Sequence, residues 1–421
     1  MPYEKGTVLN RIHDFQCSMS LENYLKFLPS FFILIGIIAL TLALRRLDIF
    51  WLSLGLVSFV LMIGVVKVEE AFRLKIELIA FLLIPLFLGM SGISGALENN
   101  LYGVDIAIVI FAPTLGFILM FNLHHHTSFR ANFHFTLFFV MIFSLASGAL
   151  IGIGGFLSDQ HLGTTFLKSN YDLMIDLIFI SIGSMIMGLF FRNYLRSSEY
   201  ESIKSFSSQI EKFDSKETGM KAGAILFSGF GKKGHRWATF LSRILQLVII
   251  IFAIYAIYEK NPRWFFSAIL SFGATMIPHI FTRNLNVVIP PILNFWITAA
   301  LFFHVLGGVM GYYDHVWWWD KFTHSLSAAL ISILGFTILL TINQLSDSIH
   351  ISSSLIPLIL LLFILSTGVA WEIFEFFSDQ LLGTNMQYGL RDTVYDMMFN
   401  VLGAFVAAGI GYKYFPSKYW N

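Results

Sequence analysis

Apolar residues run along this chain in long blocks separated by short polar stretches. Each block can cross a hydrocarbon layer of about 30 Å at a rise of about 1.5 Å per residue. The pattern predicts twelve membrane-spanning helices. The first six cover 28–44, 49–66, 78–97, 106–123, 135–157 and 173–191. The second six cover 244–258, 264–281, 287–313, 322–342, 351–377 and 394–412. No small-residue cleavage site accompanies the first block, so it reads as a retained helix rather than a signal peptide.

The polar stretch 192–243 divides the two sets of spans. It carries ten Lys/Arg against five Asp/Glu, which places it on the cytoplasmic side by the positive-inside rule. Even span counts on either side put both termini inside as well, in a plasma or inner membrane. Trp317, Trp318 and Trp319 then sit at the outer interface, before the tenth span. The expected organisation is a cytoplasmic segment 1–27, a first six-helix unit 28–191, a basic linker 192–243, a second six-helix unit 244–412 and a cytoplasmic tail 413–421.

Composition agrees with the pattern. Of 421 residues, 56% are apolar and only 13% charged, and the mean hydropathy is +0.73. A soluble enzyme, a secreted disulfide scaffold and a disordered chain are excluded. A net charge of +1 carries no footprint for nucleic acid. The single cysteine, Cys17, excludes an intrachain disulfide and a thiolate metal cluster.

The two units read as copies. Segment 148–184 aligns with 368–404 at a constant offset of 220. Phe156, Ser158, Asp159, Gln160, Leu162, Gly163 and Thr164 recur as Phe376, Ser378, Asp379, Gln380, Leu382, Gly383 and Thr384. Asp172 and Asp176 recur as Asp392 and Asp396, and Gly183 as Gly403. With short gaps the register continues upstream, where Asp105 falls opposite Asp320. The fold expected is all-α: a polytopic bundle of about twelve spans in two parallel six-helix repeats. The shared Gly-Thr reads as a helix end and turn, and the shared Asp172 and Asp392 as first-turn acids.

Function is sought where the copies differ. The second copy has His324, Glu372, Glu375 and Asn400 where the first has Val109, Gly152, Gly155 and Ile180. An ionisable group within a span costs about 2.5–3.5 kcal/mol on insertion scales, so each addition needs a reason. The polar set of the second copy falls on coherent helix faces. Asp320 and His324 are four apart, Glu372, Glu375 and Asp379 lie at i, i+3 and i+7, and Asp392, Asp396 and Asn400 at i, i+4 and i+8. All three faces lie toward the outer end, where Lys321 and Arg391 partly neutralise the acids.

Three readings fit this set. Asp320, His324, Glu372, Glu375 and Asp396 can hold a divalent metal such as Mg, Mn, Zn or iron. The same groups can work without metal, as acid and base or as a headgroup site. They can also form a polar network that joins helices. His304 can join the cluster or bond a neighbouring helix. His124, His125 and His126 are expected in a solvated inner loop.

The second unit resembles a known family. Asp320-Lys321-Phe-Thr-His324, Trp371-Glu372-Ile-Phe-Glu375, the run Gly383 to Gln387, and Asp392-Thr-Val-Tyr-Asp396 are similar to the YjdF-type inner membrane proteins. More distantly, Asp396-Met-Met-Phe-Asn400-Val-Leu-Gly403-Ala404 resembles the VanZ-like superfamily. The chain differs from VanZ-like proteins in having Glu375 where they have Gln. VanZ-like proteins are associated with low-level glycopeptide resistance, so the resemblance implies an outer-leaflet or envelope role.

The expectation is a membrane-embedded enzyme or binding protein acting on a lipid-linked headgroup. Glu372 or Glu375 would be the base and His324 an acid or ligand. Asp320, Lys321, Asp379, Arg391, Asp392, Asp396 and Asn400 would bind or orient. A transporter of a small polar solute and a scaffold without chemistry are the alternatives. The partner is the lipid bilayer, and no oligomeric state is implied.

Overall fold

The computed structural model describes residues 106–197, 236–280, 289–345, 349–352 and 354–414, with a few helical positions between 54 and 86. The first three predicted spans and Asp105 therefore lie essentially outside the described residues. Ten helices are described: α1 (Ile106–His126), α2 (Phe133–Leu162), α3 (Asn170–Ser197), α4 (Arg236–Tyr258), α5 (Pro262–Thr275), α6 (Pro291–Val309), α7 (Tyr312–His315), α8 (Trp319–Leu345), α9 (Ile356–Leu382) and α10 (Leu390–Tyr414). Seven of them are long and apolar enough to cross a membrane. Among the described residues there is no strand, only an isolated bridge between Arg130 and His350.

Local sequence sets the helix ends. Asn132 caps α2 by accepting from the Phe135 amide at 2.9 Å, and Asn261 caps α5 ahead of Pro262. Pro290 and Pro291 open α6. Gly163 ends α2 at φ 66° and Gly383 ends α9 at φ 61°, a left-handed cap that suits glycine. Both helices run five residues past their predicted ends, because the polar Ser-Asp-Gln turn stays helical. His124, His125 and His126 end α1 rather than forming a loop, since the helical hydrogen bonds persist to Thr127.

Two helices form the centre. α2 packs along α9, burying Phe139, Ile142, Leu145 and Ala149 against Ile359, Leu362, Leu365 and Val369. α3 flanks α2, and α10 lies along α8 while also meeting α9. Smaller apolar clusters join α4, α5 and α6, and α6 to α8.

The offset of 220 recurs in local geometry. Arg130 and His350 bond each other's backbone reciprocally, both at 2.8 Å. Phe156 meets Tyr395 edge-on, while its counterpart Phe376 meets Tyr171. Asp159 accepts from Thr164 Oγ1 and the Phe166 and Leu167 amides at 2.5, 2.6 and 2.8 Å. Asp379 accepts from Thr384 Oγ1 and the Met386 and Gln387 amides at 2.5, 2.7 and 2.9 Å. Gly183 lies against Val109 of α1, and Gly403 against Ser325 of α8. These contacts fix the positions of α8, α9 and α10, which carry the site.

Candidate functional site

The site lies where the start of α8, the later part of α9 and the start of α10 converge. Asp320 is in the first turn of α8 and Asp392 in the first turn of α10, so each carboxylate meets the positive end of a helix dipole. Lys321 bridges the two helices. Its Nζ pairs with Asp392, lies 3.3 Å from Asp320 Oδ2 and 3.7 Å from Asp396 Oδ1. One turn on, His324 Nε2 is 3.5 Å from Asp320 Oδ1. Asp320, His324 and Asp396 each offer a ligand atom within 4.8 Å of the others.

α9 closes the cluster. Glu372 is 0% exposed, with Oε2 accepting from Gln387 Nε2 at 3.0 Å and Oε1 without a hydrogen-bond partner. His324, Asp396 and Asp320 are within electrostatic reach of it. Glu375, also buried, accepts from Trp371 Nε1 at 2.8 Å. Asn400 packs on Gly368 one turn deeper: a Cβ on that glycine would lie 2.6 Å from its Nδ2. Ten residues separate Glu372 from Leu382 at the helix end, about 15 Å at helical rise, deeper than the predicted boundary implied.

Two predicted members play different parts. Asp379 braces the α9–α10 loop and faces its own amides. It still matters, because the loop it fixes presents Gln387 to Glu372. Arg391 is exposed and lies over the Tyr395 ring at 5.2 Å, away from the cluster.

The structure places His304 and adds residues that sequence reasoning missed. His304 of α6 bonds Tyr313 Oη at 3.0 Å and meets Trp371 edge-on. Tyr313 donates to Thr323 at 3.4 Å, which ties α6 to α8. Across the mouth, Tyr388 Oη donates to Asp314 Oδ1 at 2.6 Å. Burial, and then that hydrogen bond, holds the Tyr388 phenol above its ordinary value, so it remains a donor. Asn170, from the other unit, donates to Gln387 Oε1 at 2.9 Å and thereby turns the Gln387 amide nitrogen toward Glu372. Gln387 was discoverable, since its counterpart at offset 220 is the apolar Leu167. Tyr313 and Asn170 had no such signal.

Charge balance constrains the chemistry. Five carboxyl groups, Asp320, Glu372, Glu375, Asp392 and Asp396, face one ammonium and one imidazole. The surplus calls for protons or an added cation, since unbalanced charge is not carried away from water. The set therefore suits proton transfer, cation binding, or both.

A family match bears on the same region. The family described as Predicted membrane protein (DUF2238) matches residues 240–417. An uncharacterised protein of Thermotoga maritima is 29% identical over 140 residues, which are 32% of this chain and 70% of the relative. No solved structure matches. The fold and the family match define a helical membrane protein, and the matched residues 240–417 include the polar cluster.

Proposed function

We propose that this chain is a membrane-embedded enzyme acting at the outer face on the polar headgroup of a lipid-linked substrate. Glu372 accepts a proton, His324 serves as an acid or a ligand, and Asp320, Lys321, Asp392 and Asp396 orient the headgroup. One observation carries the reading: wholly buried Glu372 keeps an oxygen without a partner, inside a cluster of carboxyl groups. A network built only to join helices would satisfy its members.

The twelve-span organisation in two parallel six-helix repeats, with both termini cytoplasmic in the cell membrane, belongs to the same proposal. The matched Asp159 and Asp379 braces and the reciprocal Arg130–His350 contact support it. Transport is the weaker reading, because the equivalents of Glu372 and Glu375 in the first unit are glycines covered by Leu173 and Phe166.

Cells expressing wild type, Glu372→Gln or an empty vector would be compared by mass spectrometry of extracted lipids. Wild type is expected to shift one class of lipid-linked species, and Glu372→Gln to leave it as in the vector control. Identical profiles in all three would overturn the headgroup reading. Sidedness is tested on a Cys17→Ser background with a single cysteine at Tyr388, which should react with an impermeant thiol reagent added outside.

A further inference from the structure

We propose that Asp320, His324 and Asp396 hold a divalent transition-metal cation beside the buried carboxyl of Glu372. The inference rests on reading the cluster as a reactive centre and names what completes it.

The donor geometry comes first. The 3.5 Å between His324 Nε2 and Asp320 Oδ1 is long for an N–H···O bond. It is close to the edge, about 3.4 Å, of a tetrahedron of donors about 2.1 Å from a cation. Asp396 brings a third donor within 4.8 Å, from a different helix. A metal ion would therefore clamp the start of α8 to α10 at the point where their axes approach.

The second observation is independent of that spacing. Glu372 is 0% and Asp396 2% exposed, yet Glu372 Oε1 and Asp396 Oδ1 have no hydrogen-bond donor. A buried carboxylate oxygen without a donor is unfavourable unless something beyond the chain meets it. Lys321 does not meet this need. Its ammonium is held by Asp392 and Asp320 Oδ2, and reaches Asp396 Oδ1 only at 3.7 Å. A divalent cation supplies two of the missing positive charges and the missing partner at once.

The surroundings suit such a site. One imidazole with carboxylates favours Zn²⁺, Mn²⁺ or Fe²⁺ over Cu⁺. Gln387 fixes Glu372 through its other oxygen, and Asn170 fixes Gln387, an outer layer of the kind that orients metal ligands. The first unit thus has a part in the site although it carries none of the ligands.

The test uses the full chain in detergent, with His124, His125 and His126 replaced by serine to remove adventitious binding. After loading with Mn²⁺ or Zn²⁺ and desalting, about one ion per chain is expected. His324→Ala and Asp396→Asn should lower retention about tenfold or more, while His161→Ala, at an exposed position on α2, should not. Should either variant fail to fold, the unsubstituted cluster still decides. Pulsed electron paramagnetic resonance of the Mn²⁺ form should show nitrogen coupling from one imidazole. No retained metal, retention unchanged in folded His324→Ala, or Mn²⁺ without nitrogen coupling would overturn the proposal. A Glu372-dependent lipid shift without metal would sink this inference and leave the headgroup reading standing. Bound metal with no lipid shift would do the reverse.

Discussion

The same stretch of backbone is filled in two ways. In the first unit, Gly152 and Gly155 lie under Leu173 and Phe166: a Cβ on either glycine would come within 2.9 or 2.4 Å of those side chains. In the second unit the equivalent positions are Glu372 and Glu375, and the covering residues become Thr393 and Met386. Deeper in each unit, Gly148 is met by Ile180 and Gly368 by Asn400. The helix ends and the Asp braces nevertheless match. In the first segment the backbone therefore stands with an apolar filling at the two positions where the second has Glu372 and Glu375.

Moving a carboxylate into the first unit gives the largest expected effect. Gly152→Glu would push Leu173 aside and bury a carboxylate that the apolar filling does not meet. A loss of about 4 kcal/mol or more is expected, enough to prevent folding. Thermal unfolding in detergent measures it, and a loss below about 1 kcal/mol would break the comparison.

Next is the closest helix crossing. A Cβ on Gly403 would lie 2.2 Å from the Ser325 carbonyl oxygen, and backbone does not yield cheaply. On Gly183 it would lie 3.1 Å from the Val109 oxygen. Gly403→Ala should cost about 3 kcal/mol and Gly183→Ala about 1 kcal/mol, read as separate shifts in the unfolding midpoint. Equal shifts would show that the crossing at Gly403 is no tighter than the one at Gly183.

Much of this was legible because a membrane span leaves few ambiguities. Apolar runs fix helices, and a rare polar residue within one stands out. Asp320, Lys321, His324, Glu372, Asp392 and Asp396 could be placed together by spacing alone, and α8, α9 and α10 do bring them together. Legibility failed where a residue's role depends on a neighbour far away in the chain. Asn170 gains its part from Gln387, 217 positions on, which follows only once the two units are docked. Tyr313 looks like an interfacial tyrosine until α7 turns it toward His304. Asp379 misled in the opposite way: it shares a helical face with Glu372, but the loop after Gly383 folds back and its amides take the carboxylate.

That brace predicts matched behaviour. Asp159→Asn and Asp379→Asn each remove a charged acceptor from one hydroxyl and two amides. Each should cost about 1.5 kcal/mol, the two values agreeing within about 0.5 kcal/mol. If Asp379→Asn alone abolished the lipid shift at unchanged stability, Asp379 would be acting on substrate rather than on its loop.

The smallest stability change is expected at the centre of the site. Glu372→Gln keeps the side chain's shape. Its carbonyl oxygen can still accept from Gln387, and its amide nitrogen faces the cluster where Glu372 Oε1 now lacks a donor. One of five crowded carboxyls disappears, which relieves repulsion, while no cavity forms. The unfolding midpoint should move by less than about 1 kcal/mol in either direction, because replacing a buried charge by a neutral group of equal volume is often neutral or stabilising. If the carboxylates were instead the glue of the bundle, the same variant would lose about 3 kcal/mol or more, as broken buried charge networks do. Stability kept and lipid or metal chemistry lost is what an addition made for chemistry predicts. Stability lost together with function would return Glu372 to the fold and remove the contrast between the two units.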